Sequence, residues 1–265
     1  MKAILTANNI TKCFATDGKK FTAVDNVSFS LNKNEFCSLV GESGSGKTTL
    51  VRIMSGLISP DSGNVICDGE IITPKLLRKN KTFCAKLQLV LQNSRAALDP
   101  RFSVYDCIAE PIKNLKKCSR SDEDKIVRKL TEQMELSKNI LSRRSGELSG
   151  GQQKRICIAR ALAADPDYII FDEAVSGLDA AVRKSVLDLL IRIQRSSGKG
   201  FMLITHDIDA ALYTSQRVAV MKSGRILETV SYAGDTEIFR SDYSKILIGS
   251  SLRGIKRYDI SAKSG

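Results

Sequence analysis

Residues 41–48 read GESGSGKT. They follow a short apolar run, FCSLV at 36–40, and open onto TTLVRIMSGL at 48–57, where Leu50, Ile53, Met54 and Leu57 fall at helical spacing. Strand, glycine-rich loop and helix in that order is the setting in which G-x-x-x-x-G-K-[ST] cradles phosphate. Gly41, Gly44 and Gly46 let the backbone turn its N–H groups inward, and the helix N-terminus adds partial positive charge. Lys47 is expected to neutralise the β- and γ-phosphates of a nucleotide, and Thr48 to offer a hydroxyl to Mg²⁺.

From that loop the chain reads outward as alternating α and β. LQLVLQ (87–92), YIIFDE (168–173) and FMLIT (201–205) are further short apolar runs. VRKSVLDLLIRIQRSSG (182–198) is an amphipathic helix lying between the last two of these. Strand, helix, strand implies a parallel sheet. The first segment is β-rich, with TAVDNVSFSL (22–31) alternating like a half-buried strand, so an antiparallel N-terminal β subdomain is expected beside the core. Residues 93–147 turn helical. SDEDKIVRKLTEQMEL (121–136) has Ser121 and Asp124 in capping-box spacing, then Ile126, Val127, Leu130 and Met134 at helical intervals. The expected organisation is one α/β domain over 1–240 followed by a tail, 241–265. Residues 1–92 and 148–240 would form the core and β subdomain, and 93–147 an inserted helical subdomain.

The bulk composition excludes several classes. With 42% hydrophobic and 26% charged residues over 265 positions, the chain suits an ordinary globular protein. No apolar run reaches the roughly 18 residues of a membrane helix, and MKAILTANNITKCF does not read as a signal peptide. The seven cysteines are scattered without C-x-x-C, which suits reduced thiols rather than a disulfide framework or zinc site. The net charge of +12 is dispersed, with modest clusters at 113–117 and 253–257 and no stacking-aromatic pattern, so no nucleic-acid partner is expected.

Further motifs converge on phosphate chemistry. YIIFDE delivers Asp172 to a strand end, where α/β sheets place ligands; it fits a Mg²⁺-coordinating carboxylate. Glu173 follows and can orient or deprotonate an attacking water. In LSGGQQKRICIARAL (148–162), two adjacent glycines stand directly before a helix, QQKRICIARAL, and Ser149, Gly150 and Gly151 at that N-terminus form a second anion site. His206 is the single histidine. Beside an apolar run, a lone histidine reads first as a packed core residue.

Six elements then stand in one order: GESGSGKT, Gln92, LSGGQ, YIIFDE, SGLD and ITHD. In that conjunction the chain resembles the nucleotide-binding subunit of ABC transporters over nearly its whole length. The resemblance implies a P-loop ATPase fold and hydrolysis of ATP with Mg²⁺ between two such chains. It implies that Phe14 stacks on adenine, with Phe21 as rival. Gly41, Ser43, Gly44, Ser45, Gly46, Lys47, Thr48 and Thr49 would hold the phosphates. Gln92 would touch Mg²⁺ and the water. Ser149, Gly150, Gly151 and Gln152 would grip the γ-phosphate held by the opposite chain, and Asp179 would cross the dimer. His206 becomes the switch histidine on the γ-phosphate, which reverses its bland reading.

LQNSRAALDPRFSV (91–104) and Ala174, where most of the family has proline, resemble the peptide, nickel and metal-chelate uptake branch. Asp242, Tyr243 and Ser244 stand where that branch usually carries His-Pro-Tyr-Thr. The resemblance thus implies two permease subunits docking near Gln92 and residues 93–104. It also implies a second ATPase chain, a solute-binding protein, and a peripheral position on the cytoplasmic face of the membrane. The rivals are a soluble ABC ATPase acting on nucleic acid or ribosomes, a non-catalytic ATPase partner, and an exporter subunit.

Overall fold

A computed structural model describes residues 4–16, 18–116 and 118–249. The 253–257 cluster, the far end of the tail and Lys117 lie outside the described residues. Two sheets organise the chain. An antiparallel sheet runs in the order β2 (Lys19–Asn32), β1 (Ile4–Thr16), β4 (Ser62–Cys67), β5 (Glu70–Ile71). The second sheet has the order β10 (Arg225–Ser231), β9 (Arg217–Lys222), β3 (Phe36–Val40), β8 (Gly200–Thr205), β7 (Tyr168–Asp172), β6 (Leu87–Val90). Its strands pair in parallel from β6 through β9; only β10 is antiparallel, returning from β9 through a tight Ser223–Gly224 turn. The expected parallel sheet therefore carries an antiparallel hairpin at one edge. Both turn residues have positive φ, 47° and 81°, as a two-residue hairpin requires.

The apolar runs are continuous because both faces of the parallel sheet are covered. Along β7, Tyr168 and Ile170 face one core cluster while Ile169 and Phe171 face the other. In β8, Met202 and Ile204 alternate with Phe201 and Leu203 in the same way. One face is packed by α1 (Lys47–Met54) and the antiparallel sheet. The other is packed by α5 (Val104–Leu115), α6 (Arg120–Gln133), α7 (Gly150–Ala163) and α8 (Ala180–Ser197).

Three local features differ from the expectation. Two short helices, α2 (Pro74–Lys79) and α3 (Lys81–Lys86), precede β6. Thr73 and Asn80 cap them by accepting from the Leu76 and Phe83 amides, and Pro74 opens the first, a start signal legible in TPKLL. The cap of α6 is Ser119 rather than Ser121. Ser119 has extended backbone and accepts the Asp122 amide at 3.1 Å, so Ser121 already lies within the first turn. Gly150 and Gly151 are not ahead of α7 but form its first turn, behind a reciprocal cap in which Ser149 Oγ accepts the Gln152 amide and Gln152 Oε1 accepts the Ser149 amide. The remaining helices are α4 (Ser94–Ala97), α9 (Ile208–Thr214) and α10 (Asp242–Gly249).

A half-buried ion pair ties the region between the two sheets together. Glu35, between β2 and β3, accepts from Arg217 of β9 at 3.0 Å and from the Asn32 amide at 2.9 Å, and Arg217 lies over the Phe29 ring at 4.9 Å. Burial raises the Glu35 pKa, but Arg217 and Asn32 outweigh it and hold the carboxyl below its ordinary 4.5. A depressed carboxylate pKa contributes stability that is present above the unfolded value and lost as pH falls through the folded one. Glu35→Gln is therefore expected to cost about 2 kcal/mol in urea unfolding at pH 7, since both groups keep some solvent access. The gap should narrow below about pH 4; a gap that stays constant with pH excludes the ion pair as its source.

Candidate active site at the phosphate loop

The phosphate loop leaves the C-terminal end of β3 and enters α1 with Gly46 as its cap, which makes no side-chain capping hydrogen bond. Gly46 is needed there for two reasons. Its φ is 104°, and a Cβ would sit 2.2 Å from the Ala23 carbonyl oxygen. Gly41 is similarly hemmed, by the Met221 carbonyl at 2.1 Å. The hairpin turn braces the loop from outside: the Gly224 amide donates to the Ser45 carbonyl at 2.9 Å. Tyr243 of α10 braces it from the other end, its hydroxyl accepting the Glu42 amide at 3.2 Å.

Lys47 is 5% exposed and folds back on its own loop, donating to the Gly41 and Glu42 carbonyls at 2.7 Å each and to Ser45 Oγ at 3.3 Å. Burial lowers its pKa, opposed by Glu173, Asp172 and Glu42. The donor is thus held at the loop's centre by neutral acceptors that a phosphate can displace. Beside it opens a cavity of about 430 Å³, lined by Ser43, Gly44, Gly46, Lys47, Thr48, Thr49 and Glu173, with Phe21 and Gly224 at its margin.

Phe21, the rival aromatic, lines this cavity; Phe14 does not. The two stand opposite one another in the β1–β2 ladder with ring centroids 5.8 Å apart, so Phe14 backs Phe21. Both rings are exposed, Phe21 at 51% and Phe14 at 37%.

Three elements converge on Glu173. Its Oε2 accepts from Gln92 Nε2 at 2.9 Å and from Ser176 Oγ at 3.2 Å, and its Oε1 lies 3.2 Å from His206 Nδ1. Gln92 follows β6, Glu173 follows β7 and His206 follows β8, so three adjacent strand ends deliver them. Glu173 also has a left-handed backbone, φ 47°, with its amide donating to the Ile204 carbonyl at 2.9 Å. That conformation is costly for a residue with a Cβ and re-aims the carboxylate out of the strand direction.

Asp172, one residue earlier, is 6% exposed, and its Oδ1 has no hydrogen-bond partner. Burial raises its pKa, reinforced by Glu173 and opposed by Arg52 and Lys47. A buried carboxylate oxygen without a hydrogen-bond donor, on the residue before Glu173, suits a hard divalent cation.

Other expected site residues lie apart from this cavity. Ser149 and Gly150 are exposed, Gly151 and Gln152 half-buried, and none lines it. Asp179 is exposed and caps α8 by accepting the Val182 amide at 3.0 Å. The two groups of residues expected to bind phosphate therefore lie apart in one chain. Several residues at the site carried no sequence signal as site residues: Ser223 and Gly224 of the hairpin, Tyr243, and Lys154 of α7, whose ammonium donates to the Gln92 carbonyl.

A strand-to-helix loop with a central lysine, with an Asp-Glu pair at the end of another strand of the same sheet, defines a phosphate-loop nucleotide-binding protein. A family model described as ABC transporter matches residues 24–176. The chain belongs to the ABC transporter family and is an ATPase coupled to transport. The nickel import ATP-binding protein NikE of Shigella dysenteriae serotype 1 (strain Sd197) is 38% identical over 224 residues, covering 84% of this chain and 83% of that protein. Dimeric MJ0796, a bacterial ABC transporter cassette, matches with a TM-score of 0.78 at 27% identity over 87% of this chain and 100% of that one. The same cassette in a dimeric post-hydrolysis state bound to ADP and Pi gives 0.75 at 27% identity over the same shares. Structure cbiO1 from Clostridium perfringens, part of the cbiONQ transporter complex, gives 0.77 at 24% identity over 94% of this chain and 92% of that one, a likeness of fold. The nucleic-acid and regulatory rivals gain nothing from these likenesses.

Proposed function

We propose that this chain is the ATP-hydrolysing subunit of an importer for nickel, a metal chelate or peptides, working as one of a pair of ATPase chains. The observation that carries the reading is the split site. Glu173, Gln92 and His206 meet beside the phosphate loop, while Ser149, Gly150, Gly151, Gln152 and Asp179 do not line that cavity. A second chain would bring its own copies of the latter against the nucleotide.

In this reading the phosphate-loop amides and Lys47 bind the β- and γ-phosphates, and Phe21 rather than Phe14 stacks on the base. Thr48, Asp172 and Gln92 would hold Mg²⁺, which would supply charge neutralisation to the phosphate oxygens. Glu173 accepts a proton from the attacking water, and Gln92 and His206 fix the carboxylate so that one orientation predominates. Ser149, Gly150, Gly151 and Gln152 donate to the γ-phosphate from the partner side. ATP then joins the two chains, and hydrolysis replaces one bridging anion with two that repel.

No helix among the described residues is long and apolar enough to cross a membrane, so transport needs separate permease chains. A cavity of about 330 Å³ beside β6 and α5, lined by Leu89, Leu91, Glu110 and Arg160 among others, is where they would dock on the cytoplasmic face. Residues 93–147 act as the inserted helical subdomain, which shares this surface with β6 and α7. A solute-binding protein outside the membrane completes the system.

Two experiments test this. Deleting the gene should abolish uptake of radiolabelled nickel or of a toxic peptide, and the pattern of loss reports the cargo; unchanged uptake of nickel, chelated metal and peptides rejects the importer reading. Phe21→Ala should raise the Kd for ATP about tenfold, since base–aromatic stacking contributes roughly 1–3 kcal/mol, and Phe14→Ala should have a smaller effect. A larger loss in Phe14→Ala restores Phe14 as the adenine platform.

A further inference from the structure

Three side chains of α7 latch the segment that carries Gln92. Lys154 Nζ donates to the Gln92 carbonyl, Cys157 Sγ to the Ser94 carbonyl at 3.8 Å, and Arg160 Nη1 to the Ala97 carbonyl at 2.8 Å. The three donors sit at i, i+3 and i+6, one face of the helix, and their acceptors follow in the same order along 92–97. Arg160 is further anchored by Glu110 of α5 at 3.0 Å.

Lys154 is the unusual rung. It is 5% exposed, and among the described residues no carboxylate lies within ion-pair distance of its ammonium. A buried ammonium with one carbonyl, and with the Glu173 carboxylate acting on it only from beyond ion-pair distance, is an expensive way to fill space; an apolar side chain would serve the core better. What it does uniquely is fix the main chain of the residue whose side chain holds Glu173. The same helix begins, five residues earlier, with Ser149, the exposed end expected to meet the other chain's nucleotide.

We infer that Lys154 is a positioning residue for hydrolysis: it clamps the Gln92 main chain to the helix that starts at Ser149, so that seating of that helix end on the partner's nucleotide sets the Gln92 amide against Glu173 in its own chain. The two half-sites of one chain are thereby mechanically joined through α7, with Lys154 as the rung at Gln92 itself. This rests on the roles proposed for Gln92 and Ser149.

The test measures ATP hydrolysis by the full chain together with the subunits that co-purify with it from its host membrane. Lys154→Met keeps length and packing and removes the donor. Its kcat should fall about ten- to hundredfold, the range set by a misplacement of about 1 Å in a catalytic group. The KM for ATP should stay within about twofold, because the phosphate loop is untouched, and thermal stability should hold or rise. Lys154→Arg, which keeps the donor, should recover most of the rate. Adding Lys154→Met to Gln92→Ala should lower kcat little beyond Gln92→Ala alone, since the two act through one contact. Full activity of Lys154→Met beside an impaired Gln92→Ala overturns the clamp and leaves the ATPase reading intact. Full activity of Gln92→Ala removes the role on which the clamp depends. Loss of folding in Lys154→Met, with no rescue by arginine, makes Lys154 a packing residue and overturns the inference as well.

Discussion

Glu173→Gln should lower ATP hydrolysis by about 10²- to 10⁴-fold, the range a positioned general base contributes, while ATP affinity changes by less than about threefold. Glutamine has the shape of the carboxylate, and an amide oxygen can still accept from Gln92 at Oε2's 2.9 Å position. It cannot take a proton from water, and it brings a donor where a second acceptor faced His206 at 3.2 Å. Nothing in the Lys47 contacts to Gly41, Glu42 and Ser45 is altered, so the phosphates keep their donors. The trapped, ATP-loaded pair of chains should persist through gel filtration with Mg²⁺, whereas the unsubstituted protein separates as it turns over. Hydrolysis at the unsubstituted rate takes the proton-accepting role away from Glu173.

Lys47→Ala acts on the opposite quantity. Charge-assisted hydrogen bonds contribute about 1.5–3 kcal/mol each, so ATP should bind about 10- to 100-fold more weakly. The loss should be graded by phosphate number, large for ATP and ADP and within about twofold for AMP, because the ammonium sits at the loop's centre rather than beside Phe21. Isothermal titration with the three nucleotides separates the possibilities. An equal loss for all three means that alanine has collapsed the loop instead of deleting one phosphate contact.

The legible parts of this protein were those in which one stretch of chain carries its whole device. GESGSGKT holds its own turn, donors and helix start, and the run that ends in Asp172 holds its own burial pattern. FCSLV became β3 without a residue gained or lost, because its boundaries are a glutamate on one side and a glycine on the other. The cap of α6 was misplaced by two positions because Ser119 and Ser121 offer the same hydroxyl, and only the extended backbone at Ser119 separates them. The choice between Phe14 and Phe21 could not be read from the sequence either. They face each other across two strands, and which ring reaches the cavity depends on where the β1–β2 ladder stands relative to the loop.

The amino-acid order by itself determined the class: a phosphate loop, a second anion device and a sheet with both faces buried are local patterns, set by backbone freedom and side-chain periodicity. Only the tertiary structure decided what those patterns do to each other. It placed three strand ends side by side so that Gln92 and His206 hold Glu173, left Asp172 with an unpartnered oxygen, and laid Lys154 under Gln92 across 62 positions of chain. Such contacts join residues remote in sequence, and their energies depend on burial and distance, which no stretch of sequence fixes alone.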